Sequence, residues 1–101
     1  MDFDTFQQHA LESVALTNRD ISSLAHRTFG LTGEAGILAN QLKKVIRDKN
    51  GQAESEDLEV IKKRLGDVLY YTAVLADYFD MSLSEIAAQN VEQSKSFKKA
   101  S

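Results

Sequence analysis

The sequence predicts an all-α fold: four antiparallel helices in a single domain, residues 1–101. Three observations carry that expectation. The chain holds no proline, so no residue is barred from donating within a helical ladder. Apolar residues recur at spacings of three and four over long stretches, the period of an amphipathic helix. No segment alternates apolar and polar residues as a half-buried strand does. A length of 101 residues suffices for one modest core.

The first helix is expected from Asp2 to about Leu16, with Phe3, Phe6, Ala10 and Val14 on one face. Thr17-Asn18-Arg19-Asp20 breaks it, and Ile21 to Ala25 reads as a short helical turn. The second helix is expected from Arg27 to Lys49, with Leu31, Ala35, Leu38, Leu42 and Val45 as its core stripe. Asn50-Gly51 stops it, because both residues tolerate the left-handed conformation. After a polar loop the third helix begins near Ser55, with Glu56 and Asp57 favourably placed in its first turn. Leu58, Ile61, Leu65, Val68, Thr72, Leu75 and Phe79 form its core stripe. From Val68 to Ala76 it is apolar on nearly every side, as a helix covered on more than one face is. In so short a chain, the expected cover is a second subunit. Ser82 and Glu85 make a capping-box pattern for the fourth helix. That helix is expected to reach about Phe97 with Leu83, Ile86, Ala87 and Val91 inward, and the tail Lys98 to Ser101 is expected to fray.

Net charge is −3, from 12 basic and 15 acidic residues. That lacks the basic face of a nucleic-acid binder, while leaving a nucleotide open as a substrate. Cysteine is absent, which excludes disulfides and thiolate metal sites. No basic segment followed by an apolar block marks a signal peptide. The longest apolar run is too short to span a bilayer. The expectation is a cytoplasmic protein with no membrane partner.

Two segments are informative for function: Gly30-Leu31-Thr32-Gly33-Glu34-Ala35-Gly36 and Leu65-Gly66-Asp67-Val68-Leu69-Tyr70-Tyr71. Each sets one carboxylate among small or apolar residues, where a charge needs a metal or a cation beside it. Glu34, Ile37, Gln41 and Lys44 share a face of the second helix, and Val60, Arg64, Asp67 and Tyr71 share one of the third. Such rows confront each other across an antiparallel pair, as in the metal sites of helical bundles. Gly33 and Gly36 read as glycines that permit close helix packing. Tyr70 and Tyr71 read as core or interface, and His9 and His26 are isolated.

These segments, together with Lys43-Lys44-Val45-Ile46, the acidic linker and the helix from Ser82 to Asn90, resemble the MazG-type nucleoside triphosphate pyrophosphohydrolases over about residues 24 to 92. The resemblance implies a four-helix module that assembles as a homodimer or tetramer. It implies hydrolysis of a (d)NTP to a (d)NMP and pyrophosphate, at an Mg²⁺ site built from a Glu-x-x-Glu pair and a Glu-x-x-Asp pair. Glu34 matches the first Glu and Asp67 the Asp, so both are implied metal ligands and catalytic residues. Ile37 and Arg64 occupy the other two ligand positions. Lys44 (or Lys43) matches a lysine that meets phosphate, and Asn90 an asparagine near the nucleotide, so these are implied substrate-binding residues. Gln93, Phe97 and Lys98 stand where the family carries a basic residue and then an Arg-aromatic pair.

Four ionised carboxylates would carry −4, whereas Glu34, Ile37, Arg64 and Asp67 carry −1. Unit charges about 4 Å apart interact by ~4 kcal/mol at a surface-like dielectric, so a guanidinium among the ligands opposes Mg²⁺. Arg64 is therefore expected in the metal's place, paired with Asp67 and with Glu34 across the bundle, with Ile37 packed where a ligand would point. Three readings follow. The chain is a metal-dependent nucleotide pyrophosphohydrolase; or a non-catalytic, oligomeric nucleotide-binding or regulatory module in which Arg64 meets phosphate; or a structural helical dimer.

Overall fold

Four helices follow in order: α1 (Phe3–Ser13), α2 (Ile21–Lys49), α3 (Ser55–Tyr78) and α4 (Leu83–Ala100). The computed structural model describes residues 1–13 and 18–100, with side chains except at residue 13 and residues 96–100. No strand occurs among the described residues. The expected extension of the first helix to Leu16, and Val14 on its face, lie outside them.

The second helix starts earlier than its apolar pattern predicts. Ile21 to Ala25 is not a separate turn but the beginning of α2. Asp20 is extended and its carboxylate accepts the Ser23 N–H at 2.9 Å, which caps the helix. Ser23 and Arg27 lie on the inward side, fully and almost fully buried. Two polar residues thus interrupt the apolar stripe, and periodicity alone begins the helix a turn and a half late.

The other boundaries follow their local chemistry. Asn50 and Gly51 take positive φ of 54° and 80°, and the Gly51 N–H closes on the Val45 carbonyl at 3.1 Å. Glu54 precedes α3, and its N–H donates to Asp57 Oδ2 at 2.9 Å. Lys49 Nζ donates to the same oxygen at 2.7 Å, which closes the hairpin tip. The Glu85 N–H donates to Ser82 Oγ at 3.0 Å at the start of α4. That helix continues to Ala100, so the tail expected to fray extends it. No proline or glycine follows Leu83 to stop it.

The helices α2 and α3 form a long antiparallel hairpin. The pair α1 and α4 packs against α3 and against each other, and among the described residues neither brings its backbone close to that of α2. Ala10, Ala73, Val74 and Leu83 form the buried cluster, with Phe6, Leu11, Tyr70 and Tyr71 against it. Gln7 holds that junction: its Nε2 donates to the carbonyls of Ala73 (3.0 Å) and Met81 (3.1 Å), and its Oε1 accepts the Leu83 N–H (3.1 Å). On the hairpin, Arg27 Nη1 donates to the Val74 carbonyl at 2.5 Å and Nε to Ser23 Oγ at 3.1 Å.

Much of the predicted core stripe is open. Leu58, Leu65 and Phe79 are each just over half exposed, Ala35 is exposed, and Leu42 is 37% exposed. Phe3 and Val91, also expected inward, are 45% and 50% exposed. For Ala35, Leu42, Leu58 and Leu65 the cause is topological: α1 and α4 pack near the base of the hairpin and leave its length toward the tip uncovered. Among the described residues, no helix is long and apolar enough to cross a membrane.

Candidate functional site

The antiparallel register sets Glu34 opposite Arg64. Toward the base, Gly30 passes the Tyr71 ring and Arg27 reaches Val74; at the tip, Lys49 reaches Asp57. Between these points Arg64 Nη1 donates to Glu34 Oε2 at 3.1 Å and lies 3.8 Å from Asp67 Oδ2. The contact across the hairpin is the hydrogen bond, and the one along α3 is the looser ion pair. Asp67 takes its hydrogen bond from Lys63 Nζ at 3.2 Å instead. The cluster of two carboxylates, one guanidinium and one ammonium has a formal charge of zero. The Glu34 and Arg64 side chains are 20% and 29% exposed, so their pairing is only partly screened by water, whereas Lys63 is largely in solvent. Arg64 Nε is buried and donates to no described residue.

The donor set does not fit the Mg²⁺ site that the resemblance implies. Mg²⁺ asks for near-octahedral oxygen ligation. Here the two available carboxylates already face a guanidinium set between them, and a dication would have to displace it. Among the described residues, no three His, Asp or Glu side chains converge into a ligand set.

Ile37 is not packed where a ligand would have pointed. It is 46% exposed, because it lies on a flank of the hairpin that neither α1 nor α4 reaches. Lys44 is exposed ten residues from Glu34, about 15 Å along the helix, with no bond to the cluster. Asn90 is exposed on α4, whose backbone does not come close to that of α2 among the described residues, and it makes no hydrogen bond to Glu34, Arg64 or Asp67. The single chain thus brings together Glu34, Arg64 and Asp67, and leaves Lys44 and Asn90 apart from them. Lys63 belongs to the cluster and was missed; its signal is the four-residue spacing to Asp67.

The glycines also sort differently from expectation. Gly33 and Gly36 have open space where a Cβ would stand, so neither serves close packing. Gly30 does, because a Cβ there would run into the Tyr71 ring. Tyr71 also meets Tyr70 edge to face at 5.0 Å and His26 at 6.3 Å between ring centroids. Both tyrosines back the core cluster.

The chain is similar to the Gene 37 protein of Mycobacterium phage L5, with 41% identity over 78 residues covering 77% of this chain and 68% of that protein. No family model matches the chain, and no solved structure matches it.

Proposed function

This chain belongs to the family of the Gene 37 protein of Mycobacterium phage L5, and within it we propose a MazG-like helical module that holds nucleotide phosphate by a guanidinium and does not hydrolyse it. The observation that carries the reading is Arg64 Nη1, 3.1 Å from Glu34 Oε2 and 3.8 Å from Asp67 Oδ2. A guanidinium stays charged at any physiological pH, offers five donors in a fixed fork, and suits phosphate oxygens. Nη1 is held by Glu34 and Nε is buried, so in this reading the remaining amino group of the fork meets the phosphate oxygens. It cannot, however, activate water as a bound metal does. Retention without turnover is the behaviour of a nucleotide-binding or regulatory module.

One observation favours the hydrolytic reading: Glu34 and Asp67 stand beside the same cationic atom. In that reading Lys44 and Asn90 hold the substrate. Neither lies beside the pair in the single chain.

Two measurements on the same protein test the proposal. Pyrophosphate release is followed over a panel of NTPs and dNTPs with Mg²⁺ or Mn²⁺, and nucleotide binding is followed in excess chelator. The expected outcome is no release above the protein-free control, binding that survives the chelator, and a loss of affinity of about tenfold or more in Arg64→Ala. The double substitution Ile37→Glu/Arg64→Glu is expected to make nucleotide binding metal-dependent. Release by the unaltered chain would establish the hydrolytic reading and overturn this one. A chain that binds no nucleotide would overturn the phosphate role of Arg64.

A further inference from the structure

We infer that the Arg64 site takes a nucleoside monophosphate, with the phosphate on the guanidinium and the nucleobase over Ile37 and Val60 toward the hairpin tip. The inference rests on the proposed phosphate role of Arg64 and names the class of ligand that this site selects.

The flank beside Arg64 is apolar on its tip side. At 100° per residue, Ile37 and Gln41 on α2 fall on the same flank of the hairpin as Val60, Lys63 and Asp67 on α3. The register that sets Glu34 opposite Arg64 sets Ile37 and Gln41 opposite Val60. Val60 lies four residues from Arg64, about 6 Å along the helix toward the tip. Ile37 is 46% exposed and Val60 39%, so two stiff β-branched side chains offer an apolar shelf beside the ion cluster. A nucleobase lies well against apolar side chains of this kind. Gln41, one turn beyond Ile37, is partly buried and makes no hydrogen bond to a described residue. Its amide carries both donors and an acceptor, which suits the edge of a nucleobase.

Away from the tip the flank offers no such shelf. There the Tyr71 ring fills the space beside Gly30, meets Tyr70 edge to face and packs against the core cluster. The nucleoside therefore extends toward the tip, and any further phosphate extends the other way.

That direction decides how many phosphates the site holds. Lys63 Nζ and Arg64 Nη1 stand 3.2 and 3.8 Å from the same Asp67 oxygen. A phosphate on the remaining amino group of Arg64 therefore has the Lys63 ammonium beside it, and Lys63 is largely in solvent and able to turn toward it. One phosphate monoester carries roughly −1.5 to −2 at neutral pH, which these two cations match. Each further phosphate adds negative charge beside Glu34 and Asp67, and like charges repel. No exposed lysine or arginine answers it there. Beyond Arg64, α3 has neither. Before Glu34, α2 has Arg27 alone, buried against the Val74 carbonyl, and His26 is set against the Tyr71 ring.

Titration calorimetry in excess chelator tests the inference. The ligands are the nucleoside 5′-monophosphates, the matching triphosphates, ribose 5-phosphate and inorganic phosphate. At least one monophosphate is expected to bind about tenfold or more tightly than its triphosphate and than ribose 5-phosphate. Ile37→Ser/Val60→Ser is expected to erase the advantage over ribose 5-phosphate and to keep its helical circular dichroism, since both side chains already lie partly in water. If that variant loses its helix signal, the ligand comparison on the unaltered chain decides alone. Three results overturn the inference: a triphosphate that binds as tightly as its monophosphate, ribose 5-phosphate that binds as tightly as the nucleotide, or a folded serine variant that keeps the advantage. Where Arg64→Ala still weakens binding in those cases, the phosphate role of Arg64 stands without the inference. Binding that Arg64→Ala leaves unchanged, or no binding of any nucleotide, overturns that role and the inference with it.

Discussion

A guanidinium set between two carboxylates on different helices balances their charge as a divalent ion would, but it is tethered to the fold and cannot exchange. That makes Arg64 a structural cation first: it joins α2 to α3 at 3.1 Å and leaves little field for a second cation. The neighbouring residues follow the same logic. Ile37 brings no charge to the cluster and stays half in water, so it adds no third carboxylate to the two that Arg64 already neutralises. One turn away, Gly30 has a different task. The Tyr71 ring occupies the space of its missing side chain, so the two helix backbones approach there. Gly30→Ala should force the ring aside and destabilise the chain by roughly 1–3 kcal/mol, the range for overpacking a filled site. Tyr71→Ala should cost stability by itself, and the double variant should cost clearly less than the two losses added. Chemical denaturation of the four chains checks this, and strict additivity would refute the contact.

At the scale of elements, the hairpin tip joins its helices through one carboxylate. Asp57 accepts from the Glu54 N–H and from Lys49 Nζ, and these bonds, with Lys49 the larger influence, hold its acid below the usual carboxylate range. Lys49 is held above its ordinary value by the same contact. A depressed carboxylate contributes stability above its unfolded value, about 3.9, and loses it as pH falls through the folded value. A raised ammonium contributes below its unfolded value, about 10.4, and loses it as pH rises through the folded one. Asp57→Asn should therefore be less stable than the unaltered chain on a plateau through neutral pH, and the gap should close in acid below about pH 4. Thermal unfolding at a series of pH values measures it; a gap that persists unchanged in acid would mean that the charge is irrelevant. The helix ends were legible in the sequence where a side chain or a left-handed residue makes them, as at Asn50-Gly51, Ser55 and Ser82. The start of α2 was not, because Ser23 and Arg27 are buried through hydrogen bonds and hydropathy does not register them. Gln7 escaped for the same reason: its three bonds reach residues 66 to 76 positions away.

For the whole molecule, periodicity shows which face of a helix is apolar but not whose side chains will cover it. The stripes through Leu42 and Leu65 read as core, yet within one chain α1 and α4 shield only the base of the hairpin. The candidate site was legible to the extent that it is local. Glu34, Arg64 and Asp67 meet because two helices lie antiparallel, whereas Lys44 and Asn90 would need contacts that one chain does not make. The radius of gyration is 16.2 Å, against about 13 Å for a compact chain of 100 residues. An open shape with so little buried apolar surface is poorly stabilised alone, so in the homodimer that the resemblance implies, folding and pairing are one equilibrium. Dilution then acts as a denaturant. Each tenfold fall in protein concentration removes about 1.4 kcal/mol per dimer. The unfolding entropy of two such chains, taken at about 2.1 cal/mol/K per residue, turns that into a fall in Tm of about 3 °C. Leu58→Glu/Leu65→Glu should melt at a lower temperature that no longer depends on concentration. A concentration-independent Tm in the unaltered chain would mean that the single chain is stable with its apolar face in water.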